Sequence, residues 1–215
     1  MKIVDAAPLP YAVSVPAGAE APLPVLCFLH GYDEAAPMEL AAGVARHGPL
    51  RPGGSPLATR DFIVVAPQLP LAGDHWHAYA DAVRRIVGGV RAEHGGDPAR
   101  TYLTGFSFGG NGVLDLALAQ PDFWAALWAV DPTRVPREEI RRPVWLSFGA
   151  VARRGRDAFV RALALALAPA EGDAPAGDRL YLDEGEDHVG SATRAYRDDR
   201  IYRWLLTQRL PRGTP

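Results

Sequence analysis

Residues 105–109 read Gly-Phe-Ser-Phe-Gly, one hydroxyl with a glycine two places away on each side. A serine hydroxyl becomes a useful nucleophile only when a neighbouring base takes its proton and N–H donors receive the negative charge that its attack creates. A sharp strand-to-helix turn can present such a serine above a sheet, with its backbone strained into an unusual conformation. Glycines at the flanking positions are then required, because a side chain there would strike the adjacent strand or helix. The flanks fit this reading. Thr101-Tyr102-Leu103-Thr104 precedes the turn as a short apolar run, and Gly110-Asn111-Gly112 opens a helical pattern after it. The helix start would aim its first N–H groups at a reacting carbonyl.

Two further segments complete an acyl-transfer chemistry. Phe28-Leu29-His30-Gly31-Tyr32 ends an upstream strand in His-Gly, the place where this architecture supplies a second oxyanion donor. The backbone N–H groups of Tyr32 and Phe108 are therefore the expected oxyanion hole. Of six histidines, five precede the serine turn. His188, in Gly185-Glu186-Asp187-His188-Val189-Gly190, follows the final apolar run, where a base in the chain order serine, acid, histidine must lie.

The elements needed to position these residues alternate along the chain. Pro24 to Leu29, Phe62 to Ala66, Thr101 to Thr104, Ala125 to Val130, Val144 to Phe148 and Arg179 to Leu182 read as buried strands. Trp76 to Glu93, Gly112 to Ala119, Asp157 to Leu167 and Asp198 to Leu210 read as helices, with Asp157 as an N-cap type residue. Pro49 to Ser55 and Ala170 to Asp178 are dense in Gly, Pro and Asp and read as loops. This alternation predicts a single α/β domain over residues 1–215. Its sheet would be doubly wound and mostly parallel, with helices on both faces, no large cap domain, and functional residues at the carboxyl ends of the strands.

Composition excludes several functions. Lys and Arg number 23 against 25 Asp and Glu, a net charge of −2, and the longest basic cluster is Arg153-Arg154-Gly155-Arg156. Nucleic acid is therefore not an expected partner. No apolar run approaches the length of a membrane span, so no membrane partner is expected either. The N-terminal residues lack an apolar signal core, and cytoplasmic location is the default. The one cysteine, Cys27, lies in an apolar run where a buried thiol is expected.

The stretch Asp97 to Leu127 (DPARTYLTGFSFGGNGVLDLALAQPDFWAAL) resembles the bacterial carboxylesterase and phospholipase-type serine esterases of the α/β-hydrolase superfamily, including those called predicted peptidases. Leu29-His30-Gly31, residues 60–70, Pro143 to Ala150 and residues 188–211 match that family in order, so the resemblance covers nearly the whole chain. It implies an α/β-hydrolase fold, ester hydrolysis with no metal or other cofactor, and Ser107 and His188 as nucleophile and base. One position departs from the pattern. Where the family carries its acid, after the strand reading Val-Trp-Leu-Ser-Phe, this chain has Ala152. Asp131, in Val130-Asp131-Pro132 after the preceding strand, is the first replacement, since some lipases of the superfamily place an acid there. Asp157 is the second, and a chain with no competent acid is the third.

Other residues bear on the substrate. His75-Trp76-His77 beside Asp74 is a thin ligand set, and a pocket-lining junction is expected there rather than a metal site. Asp33 and Glu34 would either disfavour anionic acyl groups or be solvated. Trp124, Trp128, Trp145 and Trp204 are expected in the core. The apolar run Ala158 to Ala168 fits burial or a homodimer contact. The expected partner is a small ester with a short acyl chain, cleaved through an acyl-serine intermediate. A thioesterase, acyltransferase or cyclase on the same site, or a binding protein with an impaired one, are the rival readings.

Overall fold

The structure is a computed structural model and describes residues 1–169, 171–173 and 176–211. A nine-stranded sheet runs through the middle of the molecule. Its strands are β1 (Lys2–Val4), β2 (Tyr11–Ser14), β3 (Leu23–Leu29), β4 (Ile63–Pro67), β5 (Gly96–Phe106), β6 (Ala126–Val130), β7 (Val144–Phe148), β8 (Ala166–Leu167) and β9 (Arg179–Asp183). Their spatial order is β1-β2-β4-β3-β5-β6-β7-β9-β8. β2 is antiparallel to both neighbours, and every pairing from β4 to β8 is parallel. The helices are α1 (Leu40–Arg46), α2 (Leu57–Asp61), α3 (Ala80–His94), α4 (Phe108–Ala119), α5 (Ala150–Arg153), α6 (Arg156–Leu163), α7 (His188–Ala195) and α8 (Asp199–Thr207).

The central strands form because their residues are apolar on both faces, which suits a sheet covered on both sides. Val25, Cys27 and Leu29 of β3 pack into one core with Leu103, Leu127, Leu146 and the inner faces of α3 and α4. Leu26 and Phe28 face the other core, with Tyr102, Trp128, Trp145 and α8. Trp124, Trp128, Trp145 and Trp204 are all buried, as their spacing suggested.

Several boundaries differ from expectation, each for a local reason. β1 and β2 escape a search for apolar runs because they are short and lie toward the sheet's margin. The helix at Trp76 begins as a 3₁₀ turn over Trp76–Tyr79 before α3 takes over. The helix after the serine starts four residues earlier than glycine content suggests, because the turn itself launches it. The Ala/Leu-rich helix expected to Leu167 stops at Leu163. Ala164 turns left-handed (φ 52°), and Ala166–Leu167 instead pair with β9. Asp157 is not its cap: Gly155 holds that place, and Asp157 lies exposed in the first turn. Only Phe159 and Leu163 of that helix are buried, so its outer face is wetter than the sequence implied. Pro49 to Ser55 forms irregular turns, whereas Ala170, Ala174 and Pro175 of the second expected loop lie outside the described residues. Among the described residues, no helix is long and apolar enough to cross a membrane.

Candidate active site

Ser107 stands between β5 and α4 with φ 57° and ψ −116°. A non-glycine residue held there stores about 1–3 kcal/mol of strain, so the surroundings must impose it. Contact distances explain why. A Cβ at Gly109 would lie 1.9 Å from the Leu29 carbonyl oxygen, and one at Gly105 would lie 2.3 Å from the Gly109 carbonyl oxygen. Only glycine lets α4 approach β3 and β5 this closely. The Ser107 N–H is in turn tied to the Val130 carbonyl at 2.9 Å. Gly109→Ala is accordingly expected to cost about 3 kcal/mol or more, the upper range for overpacking. Thermal melting would show this as a large drop in Tm or as failure to fold.

Three elements converge on the serine. His188 is the first residue of α7, whose N-cap Asp187 accepts the Gly190 N–H. Its Nε2 lies 2.9 Å from Ser107 Oγ and its Nδ1 lies 2.6 Å from Asp131 Oδ2. Asp131 follows β6 with φ 42° and is fully buried. Its Oδ1 accepts the Gly149 N–H at 2.9 Å and the Ala152 N–H at 2.7 Å, while Oδ2 also accepts the Val151 N–H at 3.3 Å. With the carboxylate oxygens serving as acceptors throughout, the hydrogen in the 2.6 Å contact belongs to His188 Nδ1. Nε2 is thus left to accept the Ser107 hydroxyl proton. Ala152 carries no carboxyl group, yet its backbone N–H anchors the acid that reaches over from the neighbouring strand. Gly149 is obligatory here, because a Cβ would lie 2.5 Å from both Asp131 Oδ2 and Ser191 Oγ. Asp157 pairs with Arg156, and the carboxylate that meets His188 Nδ1 is Asp131.

The imidazole is about a third exposed (34%), whereas the carboxylate behind it is sealed (0%), so the three groups open to solvent on the histidine side. Phe106 backs the imidazole at 4.7 Å between ring centroids, and His47 lies 5.2 Å from the same phenyl ring. His47 is held down to about 4 by burial, helped by Arg46 and Arg51, and is therefore a neutral wall at ordinary pH.

The two expected oxyanion donors are the first residues of their helical turns, Phe108 in α4 and Tyr32 in the 3₁₀ turn Tyr32–Glu34. First-turn N–H groups have no acceptor inside the helix. The two side chains meet edge to face at 5.3 Å. His30, buried and pushed down to about 4 by desolvation, orients the Gly31–Tyr32 peptide. Its Nε2 accepts the Leu69 N–H, so its Nδ1–H donates to the Gly31 carbonyl at 2.6 Å. That bond sets the plane of the Gly31–Tyr32 peptide and hence the direction of the Tyr32 N–H. The sequence marked His30 only as part of a turn; its burial in an apolar strand end was the available signal. Glu34, expected to be solvated or selective toward substrate, is instead buried against Arg46 and His47. Asp33 is exposed.

Glu184, four residues before His188, was not singled out by sequence. It is buried, its Oε1 has no hydrogen-bond partner among the described residues, and burial raises its carboxyl to about 7. A carboxyl raised on folding takes up protons relative to the unfolded chain, so its contribution to stability is complete below about 4.5 and is lost as pH climbs to about 7. His30 and His47, lowered to about 4, give the opposite slope between about 4 and 6.5. The difference between wild type and Glu184→Gln isolates the carboxyl. The variant should gain on the order of 3 kcal/mol relative to wild type between pH 5 and 8, read from denaturant melts at each pH. A flat difference would mean Glu184 is not held protonated.

No protein-family model matches this chain, and no curated protein is similar to it in sequence. Solved structures are similar in fold. A thermostable esterase shares 22% identity at a TM-score of 0.70 over 94% of this chain. An S-formylglutathione hydrolase from Agrobacterium tumefaciens shares 16% at 0.65, over 94% of this chain and 90% of that one. This chain spans 59% of the thermostable esterase's length. The mostly parallel sheet and these likenesses establish the α/β-hydrolase fold.

Proposed function

We propose that the protein is a carboxylesterase-like serine hydrolase that cleaves small or short-acyl esters through an acyl-serine intermediate. One observation carries the reading: the continuous line from Ser107 Oγ through His188 to Asp131, at 2.9 and 2.6 Å. In the first half-reaction, His188 Nε2 takes the hydroxyl proton as Oγ bonds to the ester carbonyl carbon. The oxyanion that forms is received by the N–H groups of Tyr32 and Phe108. Collapse breaks the carbon–oxygen bond to the alcohol, which leaves with the proton from Nε2. Water then enters and bonds to the acyl carbon as it loses a proton to Nε2; the carbon–Oγ bond breaks, the acid departs, and Nε2 returns the proton to Ser107 Oγ. Asp131 keeps Nδ1 protonated throughout and offsets the charge of the imidazolium.

The impaired-protein reading loses its main support, since Ala152 does not leave His188 without a carboxylate. Fluorophosphonate labelling of wild type beside Ser107→Ala tests the assignment, an unlabelled wild-type serine being the adverse result. Residues 131–143, which connect β6 to β7, are too few for a cap domain, and this supports a preference for short acyl chains. Across p-nitrophenyl esters from acetate to palmitate, kcat/KM should peak at two to four carbons. A maximum at the longest chains would overturn the preference.

A further inference from the structure

The structure points to an anion-binding subsite beside the serine, and we propose that the substrate carries a carboxylate or phosphate remote from its scissile ester. This deepens the esterase reading and rests on it. A cavity of about 300 Å³ is lined by His75, His77, Asp115, Arg134 and Arg137. Its position relative to Ser107 follows from α4. Trp76 packs onto Gly112, where a Cβ would meet three atoms of its side chain at 2.7 Å, and its Nε1–H donates to the His30 carbonyl at 3.1 Å. Fixing Trp76 places its two neighbours along the same helix. His75 stacks on Phe108 at 5.8 Å and 12°, and His77 stacks on His75 at 5.5 Å. Phe108 directly follows the nucleophile, so the cavity begins two aromatic steps from it.

The arginines are held by the same helix. Asn111, buried on α4, accepts the N–H groups of Thr133 and Arg134 at 2.9 and 3.2 Å and donates to Thr133 Oγ1 at 2.6 Å. The segment that supplies Asp131 thus continues as a fixed shelf carrying Arg134 and Arg137. Asp115, the one acid in the lining, is engaged by the Arg134 guanidinium. Arg137 has no ion-pair partner among the described residues and is exposed, and the nearby Glu138 and Glu139 line a different cavity. Asp74 accepts the Tyr79 hydroxyl instead of facing the arginines. What remains is one unpaired guanidinium and two imidazole rings around a cavity roomy enough to admit a group that carries a carboxylate or phosphate, set at a fixed offset from the hydroxyl. A guanidinium fork suits either oxyanion.

The test uses the full chain and two substrate pairs. One pair is the p-nitrophenyl monoester of glutaric acid and its terminal carboxamide. The other is the O-acetyl ester of a hydroxy acid and its carboxamide. In one pair the anion should be preferred by roughly tenfold in kcat/KM, the scale of one charge contact. Arg137→Gln should bring that ratio toward one and Arg137→Glu should invert it, whereas Arg161→Glu on the exposed face of α6 should leave it as in wild type. Which pair responds tells whether the anion lies on the acyl or the alcohol side. Equal rates within both pairs, or a ratio that ignores Arg137, would overturn the subsite while leaving the esterase standing. No hydrolysis of any of the four esters, with Ser107 unlabelled, would remove both.

Discussion

Ser107→Ala is expected to lower kcat by roughly a millionfold on any ester the wild type cleaves, the loss seen when a nucleophile of this kind is removed. The change deletes one oxygen, which is hydrogen-bonded to His188. Stability should stay near wild type, because alanine inherits the same φ of 57° and the same backbone bond to Val130. His188→Ala should cost about as much, and the double variant little more, since the two groups act as one unit. Single-turnover kinetics beside a melting curve separates this from misfolding. Retention of activity within tenfold in a folded Ser107→Ala protein would mean that another group attacks the ester.

Asp131→Asn should lower kcat by on the order of 10⁴, the effect of locking the wrong imidazole tautomer. The local geometry dictates the error. Gly149 and Ala152 both donate to Oδ1, so the amide oxygen must occupy that place and the NH₂ group must face His188. Nδ1 then becomes an acceptor, the ring hydrogen moves to Nε2, and the serine proton has nowhere to go. Asp131→Ala should be worse for the fold than for the question asked, leaving buried N–H groups unpaired at on the order of 1–3 kcal/mol each. Asp157→Asn, on an exposed helix start, should change kcat less than twofold. A collapse in Asp157→Asn with Asp131→Asn near wild type would reverse the assignment of the acid.

The elements that could be read from sequence are those whose residues had one way to be satisfied. The parallel strands are continuous apolar runs because both faces are covered, and Gly105 and Gly109 stand out because nothing larger fits between α4, β3 and β5. Asp131 was legible as a carboxylate ending a buried strand before proline. What was hidden depended on partners far along the chain. Residues 166–167 look helical until β9 offers them a ladder. Glu34 looks like a solvated acid until Arg46 and His47 close over it. α7 is short and carries only small apolar residues, so it depends on Asp187 as cap and on Ala192 and Ala195 meeting a core built elsewhere in the chain. His75 and His77 drew notice as a pair, but their use depends on Gly112 admitting the tryptophan between them.

The serine and the acid belong to adjoining strands and are joined through the Ser107–Val130 backbone bond, so they cannot separate without opening the middle of the sheet. The histidine hangs from the turn after β9, clasped by Arg153 through Asp183 at 2.6 and 2.7 Å and the Glu186 carbonyl at 3.2 Å. Removing that clasp, as in Arg153→Ala, therefore ought to weaken the protein's activity through this one arm, with two of the three groups still aligned.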